Sequence, residues 1–153
     1  MTEPVKVGDK APDFTLTSQT GQQVSLHDFA GKKPVVLYFY PKDFSLGCTK
    51  EACAFRDNYE AFKDIGAEVI GVNAASYEKH QEFSTAYKLP FILLADEGSR
   101  VRKLYGVPSS IGLIPGRVTY VIDKEGIVRH IFNSQLEPER HIEEALKILR
   151  TLG

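Results

Sequence analysis

Cysteine is the side chain in this sequence best suited to covalent chemistry, and the chain holds two, Cys48 and Cys53, five residues apart. A thiol reacts as its thiolate, and the partial positive charge at a helix N-terminus favours that form. Cys48 stands where the apolar run Val35 to Tyr40 ends at Pro41 and a helical pattern begins at Thr49. Catalytic groups of open α/β sheets collect at such carboxyl ends of strands. The rival reading of Cys48 by itself is a small buried hydrophobe, the usual fate of a free cysteine. On a wheel of about 100° per residue, Cys48, Ala52, Phe55, Tyr59 and Phe62 form one stripe that should face a sheet. Cys53 falls about 140° from Cys48, on a flank with Arg56, Asp57 and Glu60. One thiol is sheltered and the other lies nearer solvent.

The spacing has a mechanical consequence. Five residues of helix separate two Cα atoms by roughly 8–9 Å, whereas a disulfide needs about 4.4–6.8 Å. Joining Cys48 to Cys53 therefore requires the first turn or two of the helix to unwind. Zinc is poorly served, because Cys-x4-Cys supplies two ligands and no His pair follows at finger-like spacing. His27, His80, His130 and His141 are scattered over unrelated elements and are expected at the surface. No metal and no other cofactor is expected. Lys50 and Glu51 read as a surface pair, Phe44 as a packed loop aromatic, and Tyr38, Phe39 and Tyr40 as core.

The elements that must position these residues follow from periodicity and turn chemistry. A small hairpin is predicted from Asp13 to Leu26, turning at Ser18 to Gly21. Short apolar runs predict buried strands at Val35 to Tyr40, Glu68 to Ala75 and Phe91 to Ala95. Helices are predicted over Thr49 to Lys63, Tyr77 to Lys88 and Ser99 to Tyr105. A late hairpin pairs Val118 to Asp123 with Ile127 to Phe132, and a last amphipathic helix covers Pro138 to Leu152. Alternating strands and helices with a terminal hairpin give a three-layer α/β sandwich around a central mixed sheet. That order is thioredoxin-like, with an N-terminal hairpin extension, in one domain over residues 1–153.

Composition narrows the partners. The 153 residues are 42% hydrophobic and 25% charged with a net charge of -1, which points to neither a nucleic acid nor an anionic membrane. No apolar run nears the roughly 20 residues of a membrane helix. Met1 to Lys10 resembles neither a secretory signal nor a transit peptide, so a cytosolic protein is expected, with a mature plastid form as the alternative. Closely spaced cysteines in a reducing compartment mean metal binding or redox chemistry.

Pro41-x3-Ser45-x2-Cys48 resembles the peroxiredoxin active-site motif. The wider run from Tyr38 to Asp57 is similar to the peroxiredoxin Q (bacterioferritin comigratory protein) branch, in which a second cysteine stands five residues after the first, as Cys53 does. Val7 to Phe14 and Pro115 to Asp123 extend the resemblance over nearly the whole chain. It implies a thiol-specific peroxidase for hydrogen peroxide and organic hydroperoxides. Cys48 would become a sulfenic acid, Cys53 would resolve it to an intramolecular disulfide, and a thioredoxin-type dithiol would reduce that. Ser45 would hydrogen-bond thiolate and peroxide, Pro41 would shield the pocket, and Arg117 would hold the thiolate ionised and stabilise the leaving oxygen. The branch also implies a monomer. Two positions depart from its pattern: Ser45 where threonine is commoner, and Leu46 where proline often stands.

Two other readings use the same residues. A thiol–disulfide oxidoreductase would carry Cys-x-x-Cys, but the chain has Ser45-x-x-Cys48, and Val118 occupies the place of the proline before the late strand. A redox sensor or holdase would share the first chemical steps and differ in how fast the disulfide is recycled.

Overall fold

The computed structural model describes residues 4–107, 116–134 and 137–152. Pro115 of the late motif lies outside them. The chain begins with strands β1 (Thr15–Ser18) and β2 (Gln23–Ser25), which pair antiparallel. Val35–Phe39 forms β3, buried on both faces as its continuous apolar run predicts. Then come α1 (Leu46–Asp57), α2 (Tyr59–Ile65), β4 (Glu68–Asn73), α3 (Tyr77–Tyr87), β5 (Ile92–Ala95) and α4 (Arg100–Tyr105). β6 (Val118–Ile122), β7 (Val128–Asn133) and α5 (Arg140–Leu152) complete the order.

The seven strands form one sheet in the order β2-β1-β5-β4-β3-β6-β7. β3, β4 and β5 run parallel, and β6 closes antiparallel on β3 with Val118 opposite Phe39. Alternate side chains of β3 go to opposite faces. Val36, Tyr38 and Tyr40 join Cys48, Phe55, Phe62, Phe83 and Leu149 beneath α1, α2, α3 and α5. Val35, Leu37 and Phe39 join Val101, Tyr105 and Tyr120 beneath α4 and the N-terminal segment. The result is the mixed-sheet, three-layer sandwich with a hairpin extension that the residue pattern predicts.

One predicted element differs. The helix expected from Thr49 to Lys63 begins three residues earlier and is two helices, broken at Asn58. The early start comes from Ser45, whose hydroxyl caps α1 by accepting from the Cys48 N–H. The break comes from Asn58, whose side-chain amide donates to the Ala54 carbonyl at 2.8 Å while its own backbone leaves helical geometry.

Candidate active site

β3 delivers the chain to Pro41, which has no N–H to extend the ladder. The turn that follows is tied down from within. Asp43, fully buried, accepts from the Tyr40 hydroxyl at 2.6 Å and pairs with His80 Nδ1 at 2.7 Å. His80 on α3 is itself fixed by the Leu94 carbonyl at 2.9 Å from Nε2. Phe44 adopts a left-handed backbone, φ 65°, unusual for a residue with a Cβ. Its ring packs edge-on against Phe83, centroids 5.1 Å apart, and the Lys79 ammonium sits over it at 5.3 Å. These contacts hold a conformation the turn would not keep alone.

α1 then starts at Leu46, and Cys48 lies in its first turn, buried against the sheet. The Cys48 N–H donates to Ser45 Oγ at 3.3 Å, and that hydroxyl donates to the Lys42 carbonyl at 3.0 Å. Ser45 thus serves first as the cap that places Cys48 at the positive end of the helix. Arg117, just ahead of β6 and almost wholly buried, hydrogen-bonds the Cys48 sulfur and also donates to Glu51 Oε1 at 2.7 Å. Its guanidinium passes so close to Gly47 that a Cβ there would sit 2.8 Å from Nη2. Only glycine leaves room for that approach.

Glu51 corrects the surface-pair expectation. It has zero exposure, and burial pushes its carboxyl up to about 8, against the lowering pull of Arg117. Oε2 has no hydrogen-bond partner, and His141 Nδ1 stands 3.6 Å from it. The signal was present in the sequence: Glu51 is three residues after Cys48 and four before Phe55, on the stripe that faces the sheet.

Two histidines also contradict the surface expectation. His80 and His141 are completely buried. His141 donates from Nε2 to the Ser134 carbonyl at 2.8 Å, so Nδ1 accepts from Thr119 Oγ1 at 2.7 Å. Burial, followed by the charge of Arg117, holds this imidazole down at about 4, hence neutral. Its spacing to Ala145 and Leu149 marks the buried face of α5. Asp43 had no such periodic signal, because it sits in a turn.

Of the residues singled out from sequence, Ser45, Cys48 and Arg117 come together at the start of α1, Ser45 on the Cys48 backbone N–H and Arg117 on its sulfur, and Pro41 opens the turn that leads to them. Cys53 is apart, half-buried on the flank of the same helix, and both thiols are free. A buried thiol at a helix start, flanked by a guanidinium, is equipped to attack an electrophile and to stabilise charge on what leaves.

The AhpC/TSA family model matches residues 7–131. Peroxiredoxin Q, chloroplastic, of Sedum lineare is 56% identical over 97% of this chain and 80% of its own length. The protein of the same name from Oryza sativa subsp. japonica is 57% identical over 97% and 68%. Among solved structures, peroxidoxin BcpB of Mycobacterium tuberculosis superposes with a TM-score of 0.90 at 34% identity, covering 97% of this chain and 98% of its own. The bacterioferritin comigratory protein of Xanthomonas campestris, described for its alkyl peroxide reduction, gives 0.86 at 26% identity over 97% of each chain. Fold and site together define a cysteine-based peroxidase on a thioredoxin fold. The chain belongs to the AhpC/TSA family, in its peroxiredoxin Q (bacterioferritin comigratory protein) branch. Such an enzyme reduces a peroxide at the expense of a thiol reductant and has an antioxidant role.

Proposed function

We propose that Cys48 is the peroxidatic thiol, Cys53 the resolving thiol, and a thioredoxin-type dithiol the electron donor, with the whole chain acting as one monomeric domain. The observation that carries this reading is the contact of buried Arg117 with the Cys48 sulfur in the first turn of α1. The thiolate attacks one oxygen of hydrogen peroxide or an organic hydroperoxide, and Arg117 stabilises charge on the departing oxygen. Ser45 holds the sulfur at the helix start and offers its hydroxyl to the peroxide, while Pro41 keeps water from the sulfenic acid. Cys53 then attacks that sulfur and expels water, which requires α1 to open because of the five-residue spacing. Opening also presents the disulfide to its reductant. The names of the curated relatives favour a plastid over the cytosol as the place of action.

The test is thioredoxin-coupled NADPH oxidation with hydrogen peroxide and a bulky alkyl hydroperoxide. Cys48→Ser is expected to abolish turnover. Cys53→Ser is expected to form a sulfenic acid once and then stall. Full activity in Cys48→Ser would sink the assignment.

A further inference from the structure

The ladder between β3 and β6 ends with Phe39 opposite Val118. Beyond that rung, Tyr40 leads into Pro41 and the turn that delivers Cys48, and Gly116 stands immediately before Arg117. Tyr40 and Gly116 are both buried, where carbonyl oxygens are normally hydrogen-bonded. One side chain serves the two. Arg102 of α4 donates from Nη1 to the Gly116 carbonyl at 3.2 Å and from Nη2 to the Tyr40 carbonyl at 3.4 Å. A planar guanidinium presents its donors in a fixed fork, so such a pair of bonds sets the separation of its acceptors as well as satisfying them. Arg102 is itself well held. Asp96, buried ahead of α4, accepts from the backbone N–H of Val101 at 3.0 Å and of Arg102 at 2.9 Å. The guanidinium carbon lies 5.8 Å from the centre of the buried Phe39 ring. Phe39 belongs to the core beneath α4 and Cys48 to the core beneath α1, so Arg102 reaches the site from the opposite layer of the sandwich. Its charge acts on the Cys48 sulfur as well as on Asp96 and Tyr120, which puts the fork beside that sulfur.

We propose that Arg102 is a positioning residue for peroxide reduction, clasping the Tyr40 and Gly116 carbonyls so that the Cys48 sulfur and the Arg117 guanidinium keep a fixed separation. This rests on Cys48 being the peroxidatic thiol. Attack on a peroxide puts charge on the departing oxygen, and Arg117 stabilises that charge only where the O–O axis, starting at the sulfur, runs toward it. Glu51 holds the far end of the Arg117 side chain at 2.7 Å. Arg102 holds the backbone instead, and it holds both segments at once: the one that launches the Cys48 turn and the one that carries Arg117. Loosening the clasp leaves the nucleophile and its guanidinium chemically intact but out of line. A merely structural brace would, when removed, lower every reaction of the sulfur together.

The experiment compares two reactions of one sulfur in the Cys53→Ser protein, which halts at the sulfenic acid. Reaction with hydrogen peroxide needs Arg117 in line. Alkylation by iodoacetamide needs the nucleophilic sulfur alone, because iodide departs without help. Arg102→Lys keeps a positive charge but loses the two-pronged fork. It should slow sulfenic acid formation by about 10- to 100-fold and alkylation far less, so that the ratio of the two rates falls. Arg102→Gln removes the charge as well and should slow both, peroxide the more steeply. Nitrogen-15 NMR of the Cys53→Ser protein with Arg102 in place gives a readout that does not depend on how either variant folds. A clasped guanidinium turns slowly and shows two distinct Nη signals. An unchanged rate ratio in Arg102→Lys, or a single averaged Nη signal for Arg102, overturns the proposal. Dimedone labelling of the same samples separates the two readings. Label with an unchanged ratio removes only the role of Arg102, and no label with Arg102 in place removes the peroxidatic assignment along with it.

Discussion

Gly47 tests how tightly the Cys48 sulfur and the guanidinium beside it must be held. A methyl group at this position would stand 2.8 Å from Arg117 Nη2. A flexible arginine would swing aside, but this one is anchored by Glu51 at 2.7 Å and enclosed by the core. It can yield only by loosening the bond to Glu51 or to the sulfur. Misplacing a catalytic group by an ångström costs on the order of 100-fold in rate, so Gly47→Ala should lower kcat/KM for peroxide by about that much. Gly47 lies in the first turn of α1, where alanine is a better helix former than glycine, so thermal stability should not fall in parallel. A kcat/KM within twofold of wild type would mean that the guanidinium finds another position equally good.

At the scale of elements, the proposed disulfide divides the site into a part that would open and a part that would stay. The three buried side-chain polar atoms without a partner among the described residues are Tyr38 OH, Thr49 Oγ1 and Glu51 Oε2. Two belong to α1, and the third is on the ring stacked against Phe55 of α1, centroids 4.6 Å apart. Each such group costs about 1–3 kcal/mol while buried, and water would satisfy Thr49 and Glu51 once α1 unwinds. The helix that the proposed disulfide would open thus carries two buried groups that opening would satisfy. Asn58 confines that opening, because α1 ends there and α2 starts anew. Oxidation to the Cys48–Cys53 disulfide should therefore abolish amide-exchange protection across Leu46–Asp57 and leave Tyr59–Ile65 protected. Loss of protection across both helices would show that Asn58 is no boundary. The upstream limit is Asp43, pinned by Tyr40 and His80. Removing one partner of a buried pair costs about 3–5 kcal/mol, so Asp43→Ala should lose that much in denaturant unfolding; a loss under about 1 kcal/mol would show the pair to be dispensable.

The whole molecule was more legible from sequence than the inside of its site. Buried strands announce themselves as unbroken apolar runs, and the sheet follows from the βα alternation. Cys48, Ser45 and Arg117 stand out in the sequence because they fall in recognisable motifs. Glu51, His80 and His141 are polar types that composition places at the surface, and only the helical stripe on which each stands marks its burial. Asp43 could not be found by periodicity at all, since its burial depends on a partner 37 positions away.

Those buried acids and bases should leave a signature in the stability of the reduced protein against pH. Glu51 sits at about 8 in the folded chain against an ordinary 4.5, so the folded state keeps a proton that the unfolded state has lost between those values. Its contribution is complete below pH 4.5 and is lost as pH rises through 8. His141 has the opposite sense. Its folded value of about 4 lies below the ordinary 6.5, so its contribution is complete above 6.5 and is lost as pH falls through 4. Between 4.5 and 6.5 the two oppose one another, each with a slope of up to about 1.4 kcal/mol per pH unit. Above 6.5 Glu51 acts without that opposition. Exposed His27, raised by its hydrogen bond to Asp13, has the same sign but is screened by solvent. Asp13 and Asp123, both lowered from 3.8, act only on the acid side of this window. Stability measured by denaturant unfolding should be nearly flat from pH 4.5 to 6.5 and then fall by about 2 kcal/mol by pH 8. Glu51→Gln should remove the alkaline fall and leave the acid limb. A profile that rises between 6.5 and 8, or an alkaline fall that persists in Glu51→Gln, would mean that Glu51 is ionised in the resting fold and that its pairing with Arg117 outweighs its burial.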